Sequence, residues 1–162
     1  MAHLNAHYFE SPLGLLEIKG DENAIHSVSF DMLPNGKEYI SNGIIAECRK
    51  QLEEYFAGTR KKFDLKLNPV GTFFQSSVWN QLLEVPYANT ASYLDLAKKV
   101  GDEKSVRAVG AANGKNPIAI IIPCHRIVGS NNSLVGYAGG LWRKQWLLEH
   151  EAQFGLGVLK LF

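Results

Sequence analysis

The first part of the chain has a pattern of apolar residues that predicts β-structure. Apolar residues cluster at positions 7–9, 13–18 and 25–30, and turn-forming sequences rich in Gly, Pro, Asn and Asp separate these clusters. Apolar and charged residues alternate at positions 63–67, which predicts a further strand. The first 70 residues therefore indicate a small, strand-rich domain.

One amphipathic helix interrupts these predicted strands. Apolar residues recur at every fourth position in Ile44, Cys48, Leu52 and Phe56, which predicts a helix over residues 44–57 that ends at Gly58. Cys48 lies on the apolar face, where a free cysteine behaves as a small hydrophobic residue, so we expect it to be buried and inert. Residues 68–71, Asn-Pro-Val-Gly, are the best candidate linker and divide the chain into predicted domains 1–70 and 71–162.

Beyond the linker the pattern becomes helical. Residues 72–75 have the capping-box pattern, and the helix that follows is predicted to stop at Pro86. Ser92 and Ser105 are the predicted N-caps of two short helices, over residues 93–100 and 106–113, which Gly101 and Gly114 close. These two helices have suitable lengths for a helix-turn-helix.

The second of these short helices consists largely of small side chains around Arg107. Small residues allow a close approach, and composition alone leaves open whether the partner is another helix or a nucleic-acid groove. The glycine-rich residues 135–140 lack the Lys-Ser/Thr of a phosphate-binding loop, so they are not interpreted as one. A final helix is predicted from about residue 141 to residue 151, with core contacts from Trp142, Trp146 and Leu148.

Composition and charge narrow the class of protein. The chain is 46% hydrophobic and 20% charged, which is typical of a globular protein. The longest aliphatic run has five residues and the N-terminus has no apolar signal core, so we expect an intracellular protein without a disulfide. Residues 98–144 contain eight basic and two acidic residues, which suits either a phosphate-facing patch or a solvated helix surface. The basic residues are Lys98, Lys99, Lys104, Arg107, Lys115, Arg126, Arg143 and Lys144.

The candidate reactive residues lie directly after the apolar run at residues 118–122. This run, bracketed by Pro117 and Pro123, predicts a short interior strand or an extended core segment. Cys124, His125 and Arg126 follow side by side. A thiol reacts as its thiolate, and cationic or hydrogen-bonding neighbours lower the pKa of a cysteine. The first hypothesis is therefore that Cys124 is a reactive thiol, placed where a rigid stretch of backbone leaves the core.

The sequence around this cysteine resembles the O6-alkylguanine-DNA alkyltransferases, the methylated-DNA–protein-cysteine methyltransferases. The likeness consists of Pro-Cys-His-Arg-Ile at 123–127, Asn-Pro at 116–117 and Gly-Tyr-Ala-Gly-Gly-Leu at 136–141. Further blocks at 74–79, 85–87, 92–93, 107–110 and 146–151 extend it over nearly all of residues 72–151. The resemblance implies an α/β fold, with a strand-rich, RNase H-like N-terminal domain and a mainly helical, winged-helix-like C-terminal domain that carries the helix-turn-helix.

The resemblance also implies a reaction: irreversible transfer of an alkyl group from O6-alkylguanine, and from O4-alkylthymine, to the protein in a single turnover. Cys124 is the expected nucleophile, with His125 as its base through a water molecule and Glu151 orienting that histidine. Tyr93 is the expected proton or hydrogen-bond donor to the leaving guanine. Asn116 is expected to tie the segment before the cysteine to the helix-turn-helix.

The remaining site residues follow from the same resemblance. Arg107 is expected to fill the gap in duplex DNA while the nucleotide is rotated out, with the helix in the minor groove. The other expected DNA-binding residues are Ala108, Gly110, Ala111, Ser92 and Arg126. The expected substrate pocket has backbone amides near Tyr137 and Ala138 on O6 and carbonyls near Cys124 and Ile127 on the exocyclic amine. Gly139 and Asn113 complete it.

Two positions depart from some members of the family. Ala138 stands where some members have serine, which preserves a backbone amide contact but not a hydroxyl contact. Asn113 stands where some relatives place a larger apolar side chain against the guanine, which puts the width of the pocket for bulky adducts in doubt.

Two alternative functions are weighed against this one. A non-catalytic alkyltransferase-like lesion binder would keep the fold but replace the cysteine, whereas Cys124 is present. A cysteine hydrolase would need Cys124 and His125 to face each other, although adjacent side chains on an extended segment point apart, and it would leave Arg107 unexplained. We expect no cofactor, no structural zinc and no membrane. The expected partner is double-stranded DNA, bound by a monomer in the cytoplasm or, in a eukaryote, the nucleus.

Overall fold

The computed structural model describes residues 4–30 and 43–157. Contacts divide the chain into two compact units, Met1–Val70 with Pro117–Ala119, and Gly71–Asn116 with Ile120–Phe162. The first is built around a small sheet and the second is mainly helical, so the fold is mixed α/β as predicted. In the described part of the chain, no helix is both long and apolar enough to span a bilayer.

An antiparallel sheet with the strand order β1-β2-β3 forms the centre of the first unit. Its strands are β1 (Asn5–Ser11), β2 (Gly14–Gly20) and β3 (Ile25–Phe30), which confirms the three predicted N-terminal strands. The predicted helix is also present as α1 (Ile44–Phe56). Its inner face buries Cys48 completely, and burial raises the pKa of this thiol to about 12, as expected for an inert core cysteine.

The predicted strand at residues 63–67 is absent. Only Leu67 forms an isolated bridge, with Ile25 of β3. At Asp64, the side chain of Gln51 makes both backbone hydrogen bonds that a neighbouring strand would make. Gln51 Nε2 donates to the Asp64 carbonyl at 3.1 Å, and Gln51 Oε1 accepts from the Asp64 amide at 2.9 Å. A buried glutamine thus takes the place of a neighbouring strand.

The apolar run at residues 118–122 is largely buried, but it is not a strand. Ile118 makes a single bridge with Val28, and the chain then turns at residues 119–121. Ile120 has a φ of 72°, a conformation that a β-branched residue rarely adopts and that breaks any extended run. Burial was therefore predicted correctly, whereas the backbone conformation was not.

The second unit contains the predicted helix-turn-helix. Helix α2 (Phe73–Leu82) starts with the predicted capping box at Thr72, and α3 (Tyr93–Val100) starts with a second box at Ser92. Gly101 closes α3 with a φ of 116°, where a Cβ would cause strain. Helix α4 (Val106–Gly114) differs from the prediction at both ends. Gly114 lies inside the helix, and the Ser105 hydroxyl donates to the carbonyl of Asp102 at 2.6 Å instead of capping α4.

Two further features hold the second unit together. Strands β4 (Ala91–Ser92) and β5 (Ile127–Val128) form a short parallel pair, and Trp79 Nε1 donates to the carbonyl of Ala112 at 2.9 Å, which joins α2 to α4. The last helix, α5 (Leu141–Leu156), is longer than predicted. Leu148 is buried as expected, whereas Trp142 is 56% exposed, so its predicted core role is wrong.

Candidate active site

A tight turn at Pro123 presents Cys124. Pro123 has φ −83° and ψ 63°, the geometry of an inverse γ-turn, and the Cys124 amide donates back to the Ile122 carbonyl at 2.8 Å. Asn116 Nδ2 donates to the same carbonyl at 2.7 Å, which ties the end of the helix-turn-helix region to the segment before the cysteine. Residues Cys124–Arg126 then form one 3-10 turn, not the extended exit assumed from the sequence.

Helix α5 supplies the carboxylate that organises this turn. Glu151 Oε2 accepts from His125 Nε2 at 2.7 Å and from Arg126 Nη2 at 3.1 Å. Its Oε1 accepts from Arg126 Nε at 2.8 Å and from the amide of Ala88 at 3.2 Å. Glu151 and His125 are both fully buried, so the carboxylate has four hydrogen-bond donors in a site shielded from water.

The charges and the burial of this cluster determine the protonation state and the tautomer of His125. Burial raises the pKa of Glu151, but the hydrogen bonds from His125 and Arg126, together with the charge of Arg126, hold it far below its usual range. Burial lowers the pKa of His125 and outweighs the opposing charge of Glu151. The imidazole is therefore neutral, with its proton on Nε2 toward the carboxylate and a lone pair on Nδ1. The described residues provide no hydrogen-bond partner for that Nδ1.

The thiol itself is protonated at rest. Burial raises the pKa of Cys124, although the hydrogen bond from Asn116 and the charge of Lys144 act in the opposite direction. Its cationic neighbours therefore do not produce a resting thiolate. Reaction at this sulfur requires a base that removes the proton as the new bond forms.

Arg126 does not have the DNA-facing position expected from the sequence. It is buried, with two guanidinium nitrogens on Glu151 and Nη1 donating to the carbonyl of Val85 at 2.7 Å. A guanidinium committed to these partners is not available to a phosphate. The prediction of a DNA contact is corrected to an internal role, in which Arg126 positions Glu151.

Lys144 is a site residue that sequence reasoning missed. It is fully buried, and its Nζ donates to the carbonyls of Val135 at 2.8 Å and Gly136 at 3.2 Å. The Val135 carbonyl also accepts from the Tyr93 hydroxyl at 3.0 Å. Lys144 lies three and four residues before Leu147 and Leu148, on the apolar face of α5, and this spacing was the signal available in the sequence.

Asn113 lies between two other site residues. It is 4% exposed, and its Nδ2 donates to the carbonyl of Cys124 at 3.4 Å. Burial raises the pKa of Tyr93, and a hydrogen bond from Asn113 partly opposes that effect. The last turn of α4 is thereby in contact with both the nucleophile segment and the expected guanine donor.

The exposed face of α4 matches the small-residue surface seen in the sequence. Arg107, Ala108 and Ala111 are exposed and Gly110 is half-buried, with a Cβ on Gly110 predicted to lie 3.8 Å from the Tyr93 ring. The Ser92 side chain is used as the N-cap of α3. Lys98, Lys99, Lys104 and Lys115 are exposed, whereas Arg126 and Lys144 are buried, so the basic surface is smaller than the charge count suggested.

The remaining expected pocket residues lie on β5 and on the glycine-rich loop. Ile127 is fully buried and its amide donates to the Cys124 carbonyl, while Tyr137 and Gly139 are half-buried and Ala138 is exposed. Arg143 Nη1 donates to the Gly139 carbonyl at 2.7 Å and so anchors the loop to α5. Within residues 4–30 and 43–157, no three His, Cys, Asp or Glu side chains are grouped as metal ligands.

Comparisons with known proteins identify the family. Residues 73–153 match the model of the 6-O-methylguanine DNA methyltransferase DNA-binding domain, and residues 4–69 match the ribonuclease-like domain of the same enzymes. The chain belongs to the 6-O-methylguanine DNA methyltransferase family. A Methanosarcina acetivorans relative named methylated-DNA–protein-cysteine methyltransferase is 48% identical over 151 residues, 88% of this chain and 95% of that protein.

Solved structures of this methyltransferase family have the same fold. The Mycobacterium tuberculosis O6-methylguanine methyltransferase superposes with a TM-score of 0.83 at 37% identity, over 94% of this chain and 95% of that one. The same bacterium's OGT, solved in complex with DNA, gives a TM-score of 0.84 at 38% identity, over 92% and 93% of the two chains. The resemblance to alkyltransferases seen in the sequence is thus confirmed, and the enzyme class is methylated-DNA–protein-cysteine methyltransferase.

Proposed function

We propose that this protein repairs O6-alkylguanine, and O4-alkylthymine, by binding duplex DNA as a monomer through the minor groove, rotating the damaged nucleotide out and transferring its alkyl group to Cys124. The observation that carries the proposal is the buried Cys124–His125–Glu151 arrangement. A neutral imidazole is held by a carboxylate next to a protonated thiol. This is the set of groups that thiol activation during a displacement requires.

The displacement moves one proton and one alkyl group. His125 Nδ1 takes the thiol proton through a water molecule, since its Nε2 is committed to Glu151. The sulfur forms a bond to the alkyl carbon as the bond from that carbon to O6 breaks, and the electron pair stays on the guanine. The product is a thioether with no good leaving group, so one molecule repairs one lesion.

The leaving guanine carries the developing negative charge. Tyr93 donates to the ring, which requires its hydroxyl to turn from the Val135 carbonyl that it contacts in the free protein. Backbone amides at Tyr137 and Ala138 hold O6. Asn116 keeps the nucleophile segment in place through the Ile122 carbonyl.

Arg107 and its small neighbours bind the DNA while the damaged nucleotide is rotated out of the helix. Arg107, Ala108 and Ala111 form an exposed strip on α4 that has no bulky side chain other than the arginine. Such a strip allows the helix to lie close to DNA while the arginine occupies the space that the rotated base leaves.

One experiment tests the central step. The protein is incubated with a duplex oligonucleotide that contains O6-methylguanine, and its intact mass and modified peptide are measured. We expect one methyl group on Cys124, none in Cys124→Ala, and normal labelling in the matched control Cys48→Ala. Tight binding to the lesion with unchanged mass would instead support a non-catalytic lesion binder.

A further inference from the structure

The segment that follows α2 contacts both partners of the Arg126–Glu151 ion pair. The Val85 carbonyl accepts from Arg126 Nη1 at 2.7 Å, and the centre of the Tyr87 ring lies 5.6 Å from Arg126 Cζ. The amide of Ala88 donates to Glu151 Oε1 at 3.2 Å. The segment therefore helps to fix the position of the carboxylate as well as that of the guanidinium.

Ala88 donates this hydrogen bond from a backbone conformation that alanine rarely adopts. Its φ is 62°, and it is the third residue of a turn in which the Asn89 amide donates to the Pro86 carbonyl at 3.1 Å. A positive φ at this position is characteristic of a type II turn, in which the central peptide group is rotated relative to a type I turn. The carbonyl of that peptide, on Tyr87, accepts from Asn89 Nδ2 at 3.0 Å, and its amide donates to Glu151. Hydrogen bonds at both ends of one peptide group thus hold an unfavourable conformation in place.

Gly155 allows this turn to come close to α5. It lies four residues after Glu151, and a Cβ placed on it would lie 2.5 Å from the Cβ of Ala88. Carbon atoms in contact are ordinarily about 3.5–4.0 Å apart, so a side chain here would move the turn and the helix apart by about 1 Å. Glu151 could not follow the turn, because its three other hydrogen bonds hold it in place. The bond from the Ala88 amide, already 3.2 Å long, would then be broken.

Loss of the Ala88 donor would change the effect of Glu151 on His125. A buried carboxylate with fewer hydrogen bonds is less well stabilised, so it favours a second proton on the neighbouring imidazole. A doubly protonated His125 has no lone pair on Nδ1 and cannot take the proton of the thiol. The Ala88 amide therefore helps to keep His125 neutral. The other charged or titratable side chains that act on this pair are Arg126, Lys144, Tyr87 and Tyr137.

We propose that Gly155 and Ala88 are positioning residues for the alkyl transfer: Gly155, without a side chain, admits the turn at Ala88, whose amide completes the hydrogen bonds of Glu151. This inference rests on the proposed alkyl transfer and assigns a role in it to two residues outside the Cys124–His125–Glu151 arrangement. Because they act on the base and not on the delivery of the nucleotide, their effect should be the same for a lesion in duplex DNA and for a free substrate.

The test adds one methyl group at Gly155 and then removes its counterpart at Ala88. Single-turnover transfer to Cys124 is timed from about pH 5.5 to pH 9, a range that brackets the ordinary pKa of histidine. We expect Gly155→Ala to slow transfer on the order of 10-fold at the acidic end, the value of one hydrogen bond, with a deficit that disappears as the pH rises. The reason is that a higher pH restores the neutral imidazole.

A second substitution should reverse this effect. Combining Gly155→Ala with Ala88→Gly removes the 2.5 Å contact, and glycine adopts a positive φ readily. Most of the lost rate should return, although the Tyr87 ring, 3.2 Å from the added Cβ, must still shift slightly. The slowing should be equal on duplex O6-methylguanine and on free O6-benzylguanine, with unchanged affinity for undamaged duplex DNA. Gln153→Ala, at an exposed position on the same turn of α5, should leave the pH profile unchanged.

Asn89→Ala keeps the test decisive if Gly155→Ala does not fold. It removes the bond to the Tyr87 carbonyl without adding bulk at an exposed position, and it should slow transfer at the acidic end in the same way. A wild-type profile in both variants, a slowing that is equal at every pH, no recovery in the double variant, or a loss on duplex DNA alone would each overturn the inference. No alkylation of wild-type Cys124 on either substrate would instead refute the proposed function.

Discussion

Arg126 and Glu151 form a bidentate ion pair inside the second unit, with Nε to Oε1 at 2.8 Å and Nη2 to Oε2 at 3.1 Å. Both residues are buried, and the pair is completed by the bond from His125 to Oε2. Breaking a buried pair leaves an uncompensated charge, which is far less favourable than the intact arrangement. Arg126 is therefore a positioning residue that acts on His125 through Glu151.

Replacing Arg126 by lysine tests this internal role. Lysine keeps the charge but cannot form the two parallel bonds, so Arg126→Lys should lower the free energy of unfolding by about 2–4 kcal/mol and slow methyl transfer. Denaturant unfolding and single-turnover rates measure these effects. Lys104→Ala, an exposed site, should leave stability unchanged. Weaker binding of Arg126→Lys to undamaged duplex DNA at unchanged stability would show that Arg126 faces DNA after all.

The charge of Glu151 should make the stability of the wild-type protein depend on pH in a defined direction. Its pKa is lowered in the folded protein from an ordinary value of 4.5, so its stabilising contribution is complete above that value and is lost as the pH falls toward the folded pKa. We expect Glu151→Gln to be clearly less stable than the wild type at neutral pH, with a difference that shrinks below about pH 4.5. Urea unfolding across this range measures it, with Glu149→Gln on the same helix as the matched control. A difference that does not change with pH would contradict the assigned charge.

The elements that the sequence predicts well are those with strong local signals. The capping boxes at Thr72 and Ser92 are both formed, because each satisfies backbone donors with residues three positions apart. The motifs around Cys124 also predict a cluster of site residues, and the structure brings Glu151 to His125 and Asn116 to the Ile122 carbonyl, while their roles in the reaction stay predictions.

The failures arise where contacts distant in sequence decide the outcome. Ile118 to Ile122 has the composition of a strand, yet the positive φ of Ile120 turns the chain. The sequence predicts that Arg126 contacts DNA, but in the structure its guanidinium is paired with Glu151, 25 residues later in the chain. No pattern within either segment contains this information, because it depends on how the unit packs.

Arg107 should matter only when the base lies in a duplex. Filling the gap in the stack offsets an unstacking cost of a few kcal/mol, so Arg107→Ala should slow repair of duplex O6-methylguanine on the order of 100-fold. Reaction with free O6-benzylguanine, which needs no rotation out of a helix, should proceed at the wild-type rate. Lys104→Ala removes one exposed charge from the same helix-turn-helix and controls for electrostatic attraction alone. Equal losses on both substrates in Arg107→Ala would rule out the role in base rotation.

Lys144, like Glu151, should make the folded protein more stable as the pH rises, but over a higher pH range. Burial lowers the pKa of this lysine from 10.5 to about 8, with the opposing influence of Cys124 too small to restore it. Between these two values the unfolded chain binds more protons than the folded protein. The unfavourable burial of the charge is therefore complete below about pH 8 and is progressively relieved as the pH rises to about 10.5.

Lys144→Met removes this titration together with both hydrogen bonds to the glycine-rich loop. We expect the free energy of unfolding of the wild type, relative to Lys144→Met, to rise by up to about 3 kcal/mol between about pH 8 and pH 10.5, measured by denaturant unfolding. Lys99→Met, at an exposed position on α3, should show no such rise. Methyl transfer should also slow in Lys144→Met, because the glycine-rich loop that is proposed to hold O6 loses both hydrogen bonds from Lys144. A flat difference across this range would show that burial does not lower the pKa of Lys144 in the folded protein.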